Sequence, residues 1–373
     1  MSFKKISITI FILLLITLSL FALKGKKYEN KNRNVRTMYG DVNNDDAVTS
    51  HDTSLTLQYI IGLIDDWSEE QLIAADVDGN GTIQAYDASL ILFYSLNLID
   101  IFPIQEFFVI YGDTRTDRYE RTKVAECIDV VDPGYVFMTG DFCDPGYLQE
   151  MWDLWFEDCG IVLENREFCG VRGNHDKSTD SSATIFLDNV GEYIPSDANW
   201  DGINTWYSID RKEIHFIVID SYVADPNPNV DLVPGSAQYE WLIDDLENID
   251  DNIKATVLLL HHPPYGTSLH QSHEPYLREH LVPLINEYGI KFVFSGHNHS
   301  YERLFVENTH YIVSAGGGAP LYPQLMNDSD MEYSQIYLQE YHFCKMDIID
   351  NIITIDVIDT NFVVIDHIEE VVD

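Results

Sequence analysis

At 373 residues the chain is long enough for one small unit and one domain with a sizeable core. Twenty-two Lys/Arg against 62 Asp/Glu give a formal net charge of −40, unevenly spread: residues 1–37 hold eight bases and one acid, leaving 14 bases against 61 acids in 38–373, a net of −47. A surface this acidic argues against nucleic acid and anionic membrane as partners and makes long polyanionic substrates awkward, although solubility or adaptation to salt explains it better than a functional field does.

Residues 6–23, ISITIFILLLITLSLFAL, follow Lys4 and Lys5 as a mostly apolar run. Basic residues ahead of such a run suit a signal peptide at 1–23, yet the run is long for one and LFALKGK has no clear small-x-small cleavage site. An uncleaved anchor is the alternative, and the only way a membrane becomes a partner. Residues 24–37 are basic, polar and aperiodic and read as a linker. A secreted, extracellular protein is expected, associated with the cell surface if the segment stays.

GDVNNDDAVTSHD at 40–52 and ADVDGNGTIQAYD at 75–87 are two copies of one pattern. Oxygen-bearing side chains stand at loop positions 1, 3, 5 and 12: Asp41, Asn43, Asp45 and Asp52, then Asp76, Asp78, Asn80 and Asp87. With the position-7 carbonyls of Ala47 and Thr82 they form two EF-hand-like calcium loops, ended by Asp in place of Glu. Each leads into an amphipathic helix, TSLTLQYIIGLI or ASLILFYSLNLI. The duplicated loop–helix unit resembles a dockerin, here 38–100, a small all-α module. The resemblance implies two calcium ions and a cohesin-bearing scaffold protein as partner. Loop positions 10 and 11, Ser50–His51 and Ala85–Tyr86, differ between the copies and leave the cohesin type open. Position 6 needs a left-handed backbone; Gly81 supplies it, whereas Asp46 carries a Cβ, so the first site is expected to be the weaker.

Beyond residue 104 five segments stand out: GDTR at 112–115, GDFCD at 140–144, GNHD at 173–176, HHPPY at 261–265 and GHNHSYER at 296–303. Each follows an apolar run bounded by Gly or Pro (FFVIYG, YVFMTG, FCGVRG, ATVLLLHH, IKFVFSG), the pattern of strands covered on both faces. Carboxylates, an amide and imidazoles at the ends of successive strands are the donor set of a two-metal hydrolase.

These segments, with TWYSIDRKEIHFIVID, QYEWLIDDL and YIVSAGGGAPLY, resemble the calcineurin-like metallophosphoesterases, on their purple-acid-phosphatase side. The resemblance implies an α/β/β/α four-layer sandwich over 104–373 and a binuclear metal-dependent phosphoric ester hydrolase. It places Asp113 on the first metal, Asp141 between both, Asn174, His261 and His297 on the second, and His299 on the first. His261 is chosen over His262 because it lies two residues before the first Pro. His175 matches a substrate-contacting histidine. The implied metals are iron, zinc or manganese, and the implied reaction is in-line attack of a metal-bound hydroxide on a small phosphomonoester or phosphodiester.

Two positions depart from the family. Arg115 stands where many relatives carry a histidine ligand; guanidinium has no lone pair to give, but its fork suits a phosphate oxygen. Asp144 stands where purple acid phosphatases carry tyrosine, so tyrosinate-coloured iron is not expected and Asp144 is a candidate fourth ligand of the first metal. The missing ligands motivate an alternative, a calcium-dependent scaffold or adhesion protein with a catalytically weakened phosphoesterase domain. The remaining histidines read as structural or surface residues, with His270 and His273 placed to line the cleft. Five cysteines lack metal-ligand spacing; Cys159 and Cys169 are the pair an oxidising compartment would bridge.

Overall fold

The computed structural model describes the backbone of 26–27 and residues 38–99, 101–176, 183–221, 232–268, 274–326 and 328–372. The segment 1–23, the rest of the 24–37 linker, His270 and His273 lie outside the described residues. Two compact units emerge, Met1–Glu106 with Val130–Asp132, and Phe107–Asp129 with Pro133–Asp373.

The first unit holds helices α1 (Ser50–Ile60), α2 (Glu69–Ala75) and α3 (Ala85–Ser95). Helix α2 is the element the loop pattern does not announce; Ser68 caps it, accepting from Gln71 N while Gln71 reaches back to Ser68 N. The position-12 aspartates have two roles. Asp52 accepts from Val42 N (3.0 Å) at the loop start and from Thr49 N (2.9 Å) at the start of α1. Asp87 repeats this with Asp78 N (3.3 Å) and Gln84 N (2.9 Å), so each loop is tied to its exit helix by one carboxylate. Val42, Ile60, Ala75, Val77, Ile83, Ala88, Ile91 and Phe102 form the core.

The loops match in pattern and differ in strain. Asp46 N and Gly81 N each donate to the position-1 carboxylate, Asp41 or Asp76, at 2.9 Å. That turn is left-handed in both, with φ +63° at Asp46 and +74° at Gly81. Position 4 is left-handed as well, Asn44 at +57° against Gly79 at +73°. Loop two therefore has glycine at both demanding positions and loop one at neither. Asp76, Asp78 and Asp87 bring carboxylate oxygens within 4.8 Å of one another, and burial pushes the Asp87 carboxyl up to about 7.

The second unit is built on two sheets. Its strands are β1 (Phe108–Tyr111), β2 (Tyr135–Met138), β3 (Glu167–Gly170), β4 (Tyr207–Arg211), β5 (Ile214–Val218), β6 (Ala255–Leu259) and β7 (Phe292–Ser295). They continue with β8 (Tyr301–Val306), β9 (Thr309–Ser314), β10 (Ser334–Leu338), β11 (His342–Ile349), β12 (Ile352–Asp359) and β13 (Val364–Val371). One sheet has the order β13-β12-β11-β1-β2-β3 and the other β10-β8-β9-β7-β6-β5-β4. Strands β1, β2 and β3 are parallel, as are β5, β6, β7 and β9; antiparallel strands extend both sheets. The terminal VVIDHIEEVVD supplies the edge strand β13.

Alternate residues explain the layers. Phe108, Ile110 and Phe137 of one sheet pack with Phe216, Val257, Phe292 and Phe294 of the other in a shared core. The opposite residues of the seven-stranded sheet, among them Ile217, Leu258 and Val293, meet Leu242 and Leu246 of the helix Ala237–Glu247 and Leu277 and Leu284 of the short helices at Glu274–His280 and Val282–Glu287. On the far side of the six-stranded sheet the helices Arg118–Val131 and Gln149–Cys159 bury Val124, Ala125, Ile128, Trp152 and Trp155. The order is α/β/β/α, as the sequence implies. All five cysteines are buried free thiols, so Cys159 and Cys169 are not bridged.

Asp46→Gly removes a Cβ from a left-handed turn, a relief on the order of 1 kcal/mol or about fivefold in affinity. Calorimetry with calcium on this variant is expected to narrow the gap between two unequal sites, Asn44 keeping its own left-handed strain in loop one. Equal sites in the unmodified chain would contradict the loop argument.

Candidate metal centre

All five sequence segments leave the C-terminal ends of parallel strands: Asp113 after β1, Asp141 after β2, Asn174 after β3, His261 after β6, and His297 and His299 after β7. Parallel strands deliver such ends to one edge, and here two sheets deliver theirs together. Three of the six sit on left-handed backbone, with φ +61° at Asp113, +57° at Asp141 and +67° at His297. Non-glycine residues held there cost about 1–3 kcal/mol each and persist only where the surroundings fix them.

Those surroundings are visible. Asp113 N donates to Gly140 O (2.9 Å), Thr114 N to Asp141 O (3.0 Å) and Gly296 N to His261 O (2.9 Å), so the loops lock one another. Asp176 accepts from the backbone of Asp141 (2.8 Å), Phe142 (2.8 Å) and Gly173 (2.9 Å) and is wholly buried. Glycines permit the close approach: a Cβ on Gly173 would lie 2.3 Å from Asp141 N, and one on Gly296 would lie 2.5 Å from Asp113 Oδ2.

The second metal position of the sequence reading shows a defined donor set. His261 Nδ1–H donates to Thr139 O at 2.8 Å, because a carbonyl only accepts. In the neutral ring this fixes the lone pair on Nε2, which points at Asn174 Oδ1 (3.0 Å) and Asp141 Oδ1 (3.3 Å). His297 Nδ1 reaches the same Asn174 oxygen at 2.9 Å. The His261 lone pair, facing an amide oxygen and a carboxylate, is repelled by both unless a cation lies among them, and imidazole with hard oxygens suits zinc, iron or manganese. The residues fit a metal here. His262, set aside in the sequence, joins His261 and His297 in a second triad of nitrogens within 4.8 Å, and its own Nδ1 lies 3.1 Å from Ser221 Oγ.

The first position groups Asp113, Asp141 and His299 within the same 4.8 Å limit. His299 Nδ1–H donates to Pro320 O (2.8 Å), again leaving Nε2 as the acceptor. That nitrogen lies 3.3 Å from Arg115 Nη2, while Arg115 Nε lies 3.1 Å from Asp141 Oδ2. Burial and then the Arg115 guanidinium lower His299 to about 4, so its ring is neutral. Burial would raise Asp141, but the charges and hydrogen bonds around it, the Arg115 guanidinium among them, hold its carboxyl below the usual range; in Asp113 burial prevails and the carboxyl is raised.

Asp144 faces Arg115 Nη1 (3.3 Å) and His175 Nδ1 (3.0 Å), and so braces the guanidinium and the imidazole. His175 N donates to Asp141 Oδ1 (2.9 Å) and its Nε2 lies 4.0 Å from Asp141 Oδ2, towards the centre. Tyr322, which the sequence does not single out, stacks on His299 at 4.2 Å and sets its hydroxyl 3.5 Å from Arg115 Nη2. Cys143 is buried and its thiol is pushed up by burial, away from the thiolate a metal would take.

Comparison with known proteins bears on family and fold. A dockerin type I domain model matches residues 39–94 and a calcineurin-like phosphoesterase model residues 96–301. Purple acid phosphatase 18 of Arabidopsis thaliana is 27% identical over 212 residues, 54% of this chain and 45% of its own length. Phosphoenolpyruvate phosphatase of Allium cepa is 31% identical over 184 residues, 46% of this chain and 35% of its own. The chain spans less than half the length of these curated relatives. Among solved structures, the yellow lupin (Lupinus luteus) purple acid phosphatase PPD1 superposes with a TM-score of 0.58 at 19% identity, covering 71% of this chain and 53% of that one. Such a fold implies a binuclear metal centre, and a dockerin implies calcium. The chain belongs to the calcineurin-like phosphoesterases and carries an N-terminal dockerin type I domain.

Proposed function

We propose that the protein is a secreted, scaffold-tethered phosphoester hydrolase that cleaves small phosphomonoesters or phosphodiesters in line. The observation that carries the reading is the convergence of His261 Nε2 and His297 Nδ1 on Asn174 Oδ1 beside Asp141, a partly buried donor set suited to a cation. When bound, a metal there supplies Lewis-acid polarisation of a phosphoryl oxygen and acidifies water.

The chain's own residues do the rest. Thr139 O and Pro320 O orient the His261 and His299 rings by their Nδ1–H groups, fixing the tautomer. Arg115, a permanent cation, offers N–H groups to a phosphoryl oxygen, and its charge meets what develops there as the ester bond breaks. His175, engaged through Nδ1 by Asp144, keeps Nε2 towards the centre, where it meets the phosphoryl group or the leaving oxygen. The dockerin type I match supports a cohesin-bearing scaffold as partner and, with it, an extracellular setting. No helix among the described residues is long and apolar enough to cross a membrane.

One observation favours a second reading, a calcium-dependent scaffold or adhesion protein with a weakened phosphoesterase domain: the Arg115–Asp141 ion pair inside the centre. A phosphoester panel (monoester, bis-aryl diester, nucleotides, phytate), run with each metal restored, separates the two. Turnover on any member supports hydrolysis, and none with any metal leaves the scaffold.

Asp141→Asn removes the carboxylate charge shared by both positions and is expected to lower turnover by about a thousandfold or more, with the melting transition retained. His175→Ala loses a group that touches substrate and no metal donor; kcat is expected to fall by about a hundredfold to a thousandfold with metal content unchanged. A loss of metal in His175→Ala would move that residue into the donor set.

A further inference from the structure

We infer that the first metal position of this centre is filled by the Arg115 guanidinium, so that the chain holds one transition metal, at the Asn174–His261–His297 position, where its fold implies two. The inference rests on the metal-dependent reading above and refines its stoichiometry.

The two positions differ in what answers the lone pairs. At His261 and His297 two imidazole nitrogens close on the Asn174 oxygen with Asp141 Oδ1 beside His261, and the guanidinium meets only the other oxygen of that carboxylate. At Asp113, Asp141 and His299 the guanidinium itself is present. Arg115 Nη2 faces His299 Nε2 at 3.3 Å, the one lone pair that ring has to offer, because Nδ1–H is engaged by Pro320 O. Arg115 Nε faces Asp141 Oδ2 at 3.1 Å, the carboxylate oxygen turned away from His261. Of the three donors of the first position, His299 is thus engaged by an N–H group and Asp141 is ion-paired to the same guanidinium, which stands where an ion would have to enter.

The guanidinium is held there from its other side. Asp144 Oδ2 takes Nη1 at 3.3 Å, and the Tyr322 hydroxyl lies 3.5 Å from Nη2. The side chain is 14% exposed, so water competes weakly for it. Asp144 occupies the place of the tyrosine that purple acid phosphatases use as a ligand, and Arg115 that of the histidine other relatives use. A ligand pair has become an arginine and its carboxylate brace. Guanidinium stays protonated throughout the working pH range, so the position keeps a positive charge that no chelator removes. The third donor, Asp113, is occupied differently. Both its oxygens accept from His297 N, at 3.1 and 3.0 Å, which holds the left-handed turn that aims His297 at the second position.

The test is a metal count on the full chain. The protein is equilibrated with manganese in excess calcium, so that the dockerin loops are filled, then desalted and measured by elemental analysis and electron paramagnetic resonance. About one manganese per chain with the signal of an isolated ion is expected, and Arg115→His should take up about two with an exchange-coupled signal, since the substitution returns an imidazole and removes the competing cation. Arg115→Ala should move the count in the same direction. His297→Ala should empty the unmodified site, placing its ion at the second position. Two coupled ions in the unmodified chain would overturn the inference and leave the hydrolase reading standing, as would an Arg115→His variant that stays at one. No manganese, zinc or iron in the unmodified chain would instead overturn the metal-dependent reading on which the inference rests.

Discussion

Crowded polar donors, the innermost of them buried, are what the catalytic unit is organised around. Asp113, Asp141, His261 and His299 are each at most 1% exposed. Unpaired, such groups cost several kcal/mol each to bury, and a set of them folds only with positive charge in its midst. The parallel strands bring the groups to one edge, the interlocked loops stop them from swinging out, and the left-handed turns aim them inward. Asp176, with its ring of backbone donors, fixes the turn carrying Asp141 without entering the centre. Take away the cations and this architecture becomes a liability, because every support holds like-natured atoms together.

Much of this is legible in the chain. Five apolar runs, four ending in Gly and one in a His pair before Pro, identify five strands and the edge where chemistry collects, since covered parallel strands have few other sequence forms. The calcium loops are legible because they repeat. What stays hidden depends on meetings between distant segments. Arg115 reads as a phosphate contact, yet His299 and Tyr322, 184 and 207 residues on, decide where its guanidinium rests. The left-handed backbone at Asp113, Asp141 and His297 leaves no mark, because only glycine announces such a turn by composition. Asp176 looks like the tail of a motif and is a backbone anchor. Helix α2 is short, and its few apolar residues give too little periodicity to stand out; the Ser68–Gln71 cap is the signal that marks it.

The two units stand on different energetic footings. The larger has a core shared by two sheets and a second core beneath the helix Ala237–Glu247, enough apolar burial to fold on packing. The smaller has one modest core and gathers carboxylates at Asp76, Asp78 and Asp87 that repel in the absence of an ion. For a module of that size ion-binding free energy is a large part of folding free energy. If the dockerin tethers the chain as proposed, the same calcium concentration governs its tether and its folded state, while the phosphoesterase core does not depend on it.

The buried thiols carry a consequence of their own. Burial raises Cys159, Cys169 and Cys344 to about 12 and Cys127 to about 11, so the thiolate fraction at neutral pH is minute and these sulfurs are shielded from solvent in the native fold. Exchange with an oxidant or an alkylating reagent must wait for the sheets to part. The chain thus contains its own clock: the rate at which its thiols take up a label reports the opening of the catalytic unit, helix by helix and strand by strand, since Cys127 and Cys159 ride on the covering helices and Cys169 and Cys344 on the six-stranded sheet. Outside a cell, oxidation would spare the native molecule and mark only those that have come apart.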